Sequence, residues 1–104
     1  MGKPRVFLSH HAGSIKLPQG ETLVGRGLSC NIRFNDPGIS RHHVRLMVED
    51  SLIKVEELGS TNGTRVNGKP FVGAKELADG DELQIGHRWL KIRVIMDKDT
   101  DGFE

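Results

Sequence analysis

Three short stretches of this chain concentrate side chains able to hold an anion. The first is "VGRGLSCN", Val24 to Asn31, where Arg26 stands between two glycines that let backbone N–H groups approach a ligand closely. The second is "DPGISRHH", Asp36 to His43, which brings Ser40, Arg41 and the adjacent histidines His42 and His43 together. The third is "LGSTNGT", Leu58 to Thr64, where Thr61 and Asn62 lie between Gly59 and Gly63. Arginine supplies a planar fork of donors, serine and threonine supply hydroxyls, and asparagine supplies both a donor and an acceptor. That set suits an anionic group carried on a peptide, with donors for a phosphate and an amide to pair with main chain. Taken singly, each stretch also reads as a solvated turn.

Other chemistries fit less well. Serine, histidine and aspartate are all present, but no Gly-x-Ser-x-Gly elbow activates a nucleophile. "GRGLSC" looks like a piece of a phosphate-cradling loop, yet no helical pattern follows it to aim a dipole at a nucleotide. The reading is therefore a binding module and not an enzyme, with no cofactor. His10 and His11, like His42 and His43, are neighbours, and neighbours on a strand point to opposite faces, so neither pair suits one ion. "DKDTDG" in the tail offers Asp97, Asp99, Asp101 and Gly102 at the spacing of a calcium loop. The sequence reaches Glu104 without the bidentate glutamate that such a loop carries at its twelfth position, and the preceding segment alternates like a strand. An acidic linker is the better reading and no metal is expected, unless the chain continues past Glu104 into such a loop.

The elements that would position these stretches alternate with period two. Val6 and Leu8, Ile15 and Leu17, Val44, Leu46 and Val48, and Ile53 and Val55 each mark one face of a short strand. Leu23 with Val24, Ile32 with Phe34, and Leu83 with Ile85 add further pieces. Leu90, Ile92, Val94 and Met96 share one side of the longest strand. Asn67-Gly68 between "TRV" and "KPF" is a strong two-residue hairpin signal, and Asp79-Gly80 is another turn. The only candidate helical turn spans Lys75 to Ala78. Roughly ten short strands separated by turn residues predict an all-β protein, an antiparallel β-sandwich. In an up-and-down count the second and third stretches fall at one end of it. The same count sends the Arg26 loop to the opposite end, unless the short "NIRF" strand switches sheets.

At 104 residues the chain suits one domain with a modest core. The net charge of +1 argues against a dedicated nucleic-acid binder, and no apolar run approaches the length of a membrane span. Residues 1–50 carry seven Lys/Arg against four Asp/Glu, and residues 51–104 carry eight against ten, which leaves room for a local basic site. Cys30 is the sole cysteine, so an internal disulfide is impossible and a reducing, cytoplasmic setting is expected.

"GR" at Gly25-Arg26, "SRHH" at Ser40 to His43, "LGSTNGTRVNG" at Leu58 to Gly68 and "LADGDELQIG" at Leu77 to Gly86, in this order, resemble a forkhead-associated (FHA) domain. The resemblance covers about residues 5–96 and leaves 97–104 as an acidic tail or the start of a linker. It implies a sandwich of about eleven short strands, of the FHA/SMAD-like type, with the three loops converging on one end. It further implies a module that recruits proteins phosphorylated on threonine by Ser/Thr kinases, one domain of a larger protein. By residue, the resemblance gives Arg26 and Ser40 to the phosphate and adds Arg41 as a second cationic contact. Thr61 would line the phosphothreonine pocket, and Asn62 would pair with the peptide main chain. His43, with Gly25, Gly59 and Gly63, would support the loops, while His42 falls at a variable position. Gly38 and Ile39 are the candidates for contact with the third residue after the phosphothreonine. The alternative is a scaffold domain of the same fold that uses these loops without phosphate.

Overall fold

A computed structural model of the chain describes residues 4–96, so the acidic tail and its calcium-loop spacing lie outside the described residues. The described residues form eleven strands and no helix. They are β1 (Arg5–His10), β2 (Gly13–Leu17), β3 (Gly20–Gly25), β4 (Ile32–Arg33), β5 (Val44–Glu49), β6 (Leu52–Glu57), β7 (Thr64–Val66), β8 (Lys69–Pro70), β9 (Ala74–Leu77), β10 (Glu82–Ile85) and β11 (Arg88–Ile95). One sheet has the order β2-β1-β11-β10-β7-β8 and the other β4-β3-β5-β6-β9. This is the all-β sandwich expected from the alternation.

The core lies between the sheets and uses one face of most strands. Val6 and Leu8 of β1, Leu83 and Ile85 of β10 and Leu90 and Ile92 of β11 meet Val44, Leu46, Val48, Ile53 and Val55 of β5 and β6. Burying a side chain of this size is worth about 1.5–3 kcal/mol. Val94 is only partly buried and Met96 is exposed, so the apolar face of β11 outlasts its cover.

Two local expectations resolve in different ways. Asn67 and Gly68 both take positive φ, 51° and 82°, and Val66 pairs with Lys69 across them, as the hairpin signal requires. Lys75 to Ala78 is not a helical turn. Ala74–Leu77 is strand β9, with Lys75 opposite Val55 and Leu77 opposite Ile53. The open edge of β6 offers unpaired N–H and C=O groups, and covering that edge outweighs a weak helical preference. Ala78 then begins the turn, where Asp81 accepts its N–H at 2.8 Å.

Candidate functional site

The short strand β4 decides where the site forms. It stays in the sheet of β3 and pairs with it in parallel, Val24 with Ile32 and Gly25 with Arg33. The chain therefore leaves β3 at Gly25, doubles back, and climbs again through β4 before entering β5 at Val44, which pairs with Val24. The Asn31 side chain holds this return, its Oδ1 accepting the Leu23 N–H at 2.8 Å. Glu57, the last residue of β6, pairs with Val44 at the same end. The β3–β4, β4–β5 and β6–β7 loops thus share one end of the sandwich. The up-and-down count placed Arg26 at the far end because it took β4 as one more antiparallel reversal.

Backbone contacts lock the first two loops together. The Arg26 N–H donates to Ser40 O at 2.9 Å and the Gly27 N–H to Arg41 O at 3.0 Å. Gly25 makes this approach possible, since a Cβ there would overlap the Arg41 carbonyl and stand 2.9 Å from Ser40 O. Gly59 and Gly63 serve differently. They take φ of 76° and 79° with open space around them, so their role is conformational.

His43 joins the second loop to the third. It is fully buried. Its Nδ1 accepts the Ser40 N–H at 3.1 Å, and its Nε2 lies 2.9 Å from Gly63 O. An amide can only donate and a carbonyl can only accept, so the ring is the neutral Nε2–H tautomer.

The polar side chains named from sequence are arranged around this brace. Ser40 Oγ accepts the Thr61 N–H at 2.9 Å, which leaves the hydroxyl hydrogen free to donate elsewhere. Asn62 Nδ2 donates to Gly38 O at 2.8 Å, which orients the amide while its Oδ1 has no partner among the described residues. Arg26 Nε donates to Ile39 O at 3.0 Å, and its two Nη groups have no partner among the described residues. Arg41 lines a depression with Arg26, Gly27, Leu28, Ser29, Arg33 and His42, whereas Ser40, Thr61 and Asn62 do not line it. His42, left without a role by the sequence, has Nε2 3.0 Å from Ser29 Oγ. Ile39 is 1% exposed, so it belongs to the core and cannot offer its side chain to a peptide; Gly38 remains accessible.

Sequence reasoning missed two carboxylates that build the loops. Glu57 Oε1 accepts the N–H groups of Gly59 at 2.7 Å and Ser60 at 3.0 Å. Its Oε2 accepts the hydroxyls of Ser60 and of Thr64, the latter at 2.7 Å. Partial burial pushes the Glu57 carboxyl up, but the bonds from Ser60 and Thr64 outweigh it and hold the group below its ordinary value. The signal was present as a glutamate followed by hydroxyl residues three and seven positions later. Asp36 Oδ1 accepts the Gly38 N–H at 2.8 Å in a turn that "DPG" announces, and its Oδ2 meets Arg88 Nε at 3.3 Å. The Gly38 N–H, with Arg88, keeps the Asp36 carboxyl below its ordinary value, so this acid stays charged and occupied beside the site.

Comparison with known proteins gives this arrangement its family. The FHA domain model matches residues 22–86. The chain is 42% identical over 86 residues to the glycogen accumulation regulator GarA of Mycobacterium tuberculosis, covering 82% of this chain and 50% of GarA. It is 37% identical over 79 residues to the FHA domain-containing protein FhaA of the same organism, covering 76% of this chain and 15% of FhaA. The chain thus spans half or less of the length of these relatives. A solved FHA domain, from work on phosphothreonine-dependent FHA domain interactions, superposes with a TM-score of 0.80 at 35% identity, covering 86% of this chain and 95% of that one. The FhaA FHA domain, solved in complex with the intracellular domain of Rv3910, gives a TM-score of 0.77 at 34% identity, with 86% and 99% covered. With the family model spanning more than half of its length, this chain belongs to the forkhead-associated domain family.

Proposed function

We propose that the domain is a phosphothreonine-dependent interaction module that recruits proteins phosphorylated by Ser/Thr kinases, and that it binds without catalysing. The observation that carries this reading is the meeting of Arg26, Ser40 and Asn62 at one end, each with its ligand-facing group free. Arg26 and Arg41 supply charge to the phosphate, and the Ser40 hydroxyl donates a short hydrogen bond to it. Thr61 walls the pocket through its backbone link to Ser40. The Asn62 amide, held from behind by Gly38 O, presents Oδ1 to a peptide N–H. His43, Gly25, Gly59 and Gly63 hold the loops in register. Relatives named as a glycogen accumulation regulator and as an oxoglutarate dehydrogenase inhibitor (Corynebacterium glutamicum, 37% identical over 79 residues) accord with a regulatory module. We place the domain in the cytoplasm, as part of a longer protein.

Titration with a phosphothreonine peptide and its unphosphorylated twin tests the proposal directly. The phosphorylated form should bind and the twin should not. Arg26→Ala should cost about 2–5 kcal/mol of binding, and Arg26→Lys should also lose affinity because a point charge cannot reproduce a planar fork. Equal binding of the two peptides would instead favour the phosphate-independent scaffold.

A further inference from the structure

Three arginines of this domain pair with carboxylates, and Arg65 donates to Gly68 O at 3.3 Å. Arg45 pairs with Glu56 at 2.9 Å, Arg88 with Asp36 at 3.3 Å and Arg93 with Asp79 at 3.3 Å. Arg26, Arg33 and Arg41 pair with no carboxylate among the described residues, and all three line one depression beside His42 and Ser29. No acidic side chain lines it. Three like charges gathered in one hollow repel one another, and no carboxylate lining it offsets the repulsion.

Their positions are built. Arg33 stands on β4, and its Nε donates to Arg26 O at 2.9 Å, which fixes its guanidinium beside the Arg26 backbone and leaves both Nη groups available. Arg41 is held at its carbonyl by the Gly27 N–H and by Cys30 Sγ, each at 3.0 Å. The charge count then exceeds the proposed ligand. A phosphothreonine brings about −1.5 to −2 charges and three acceptor oxygens. Arg26, Arg41 and the Ser40 hydroxyl already meet that demand, so Arg33 is one cation more than a single phosphate needs.

We infer that Arg33 extends the phosphate site into a second anion subsite within this depression. The preferred peptide carries, beside its phosphothreonine, a further anionic group that reaches Arg33. A carboxylate side chain and a second phosphate share this chemistry. The inference rests on the phosphothreonine reading, which supplies the first anchor.

The test uses phosphothreonine peptides in which aspartate, or a second phosphorylated residue, replaces alanine at successive positions on either side of the phosphothreonine. A control places the same extra charge well beyond a Debye length, about 8 Å at physiological salt. At one position near the phosphothreonine the extra anion should tighten binding by about five- to tenfold, the range between an exposed ion pair and a charge-assisted hydrogen bond. The distant charge should gain less than about twofold. In Arg33→Gln, and independently in Arg33→Ala, the gain of the nearby anion over alanine should fall to about twofold or less. Whichever probe gains more, aspartate or the second phosphate, identifies the source of the anion. No gain at any position, or a gain that survives both substitutions at Arg33, would overturn the inference while binding of the singly phosphorylated peptide kept the primary reading intact. If no phosphothreonine peptide binds, with or without a second anion, both readings fall.

Discussion

Replacing Glu57 by glutamine changes one charged oxygen into an amide of nearly the same shape, and the structure sets what that should cost. The carboxylate accepts bonds from the Gly59 and Ser60 N–H groups and from the Ser60 and Thr64 hydroxyls. Glutamine can keep the two backbone bonds on its carbonyl oxygen, but an NH2 group then faces two hydroxyls that had been donating. Hydrogen bonds to a charged group contribute about 1.5–3 kcal/mol, against about 0.5–1.5 for neutral ones. With half-burial discounting the difference, Glu57→Gln should destabilise the domain by about 2 kcal/mol at pH 7. Glu57→Ala should cost more, because Thr64 is 1% exposed and its hydroxyl loses its acceptor, at a further penalty of about 1–3 kcal/mol. Chemical denaturation measures both, and each kcal/mol should appear as a fall in Tm of about 4–8 °C.

The pH dependence has a definite sign. The folded Glu57 carboxyl is held below its ordinary value of 4.5, so the unfolded chain binds the proton more readily. The stability that Glu57 contributes is therefore present above that ordinary value and is lost as pH falls through the lowered folded value. The gap between wild type and Glu57→Gln should narrow when pH drops from 7 to about 3. Binding of a phosphothreonine peptide should weaken in parallel at pH 7, since the loop that Glu57 anchors carries Thr61 and Asn62. A gap below about 0.5 kcal/mol at pH 7, or one of equal size at both pH values, would refute this account of the loop.

Asn62→Ala should weaken peptide binding while lowering stability by less than about 1 kcal/mol, because its bond to Gly38 O is solvent-exposed and water can replace it. His43→Ala should do the reverse, costing about 2–4 kcal/mol of stability in thermal melts through a buried cavity and two lost hydrogen bonds, with binding failing as the loops slacken. A phosphothreonine peptide should bind roughly 10–200-fold better than its phosphoserine twin by calorimetry, the range for one methyl in a shaped pocket, here between Ser40-Arg41 and Thr61-Asn62. Affinity for the phosphopeptide should decline as pH falls below about 6, where the phosphate loses its second charge, and a flat profile between about pH 5 and 7.5 would remove phosphate as the anchor.

What was legible in the sequence is what short-range chemistry dictates. Alternation at Val44, Leu46 and Val48 marks a half-buried strand wherever it occurs, because successive side chains must face opposite ways. Asn67-Gly68 closes a hairpin because both positions tolerate positive φ, and the motif residues at Gly25, Arg26, Ser40 to His43 and Leu58 to Gly68 sufficed to identify the family. Three features waited for the tertiary structure. The parallel pairing of β4 brings Arg26 beside Ser40, and two residues are too few to reveal a strand's direction from their pattern. Ala74–Leu77 is a strand because β6, far away in sequence, leaves it an edge to cover. Ile39 is core and not ligand contact, and Glu57 is the anchor of a loop and not one acid among many, because each depends on what packs around it. Periodicity reports which way a side chain faces; only the assembled sandwich decides what it meets there.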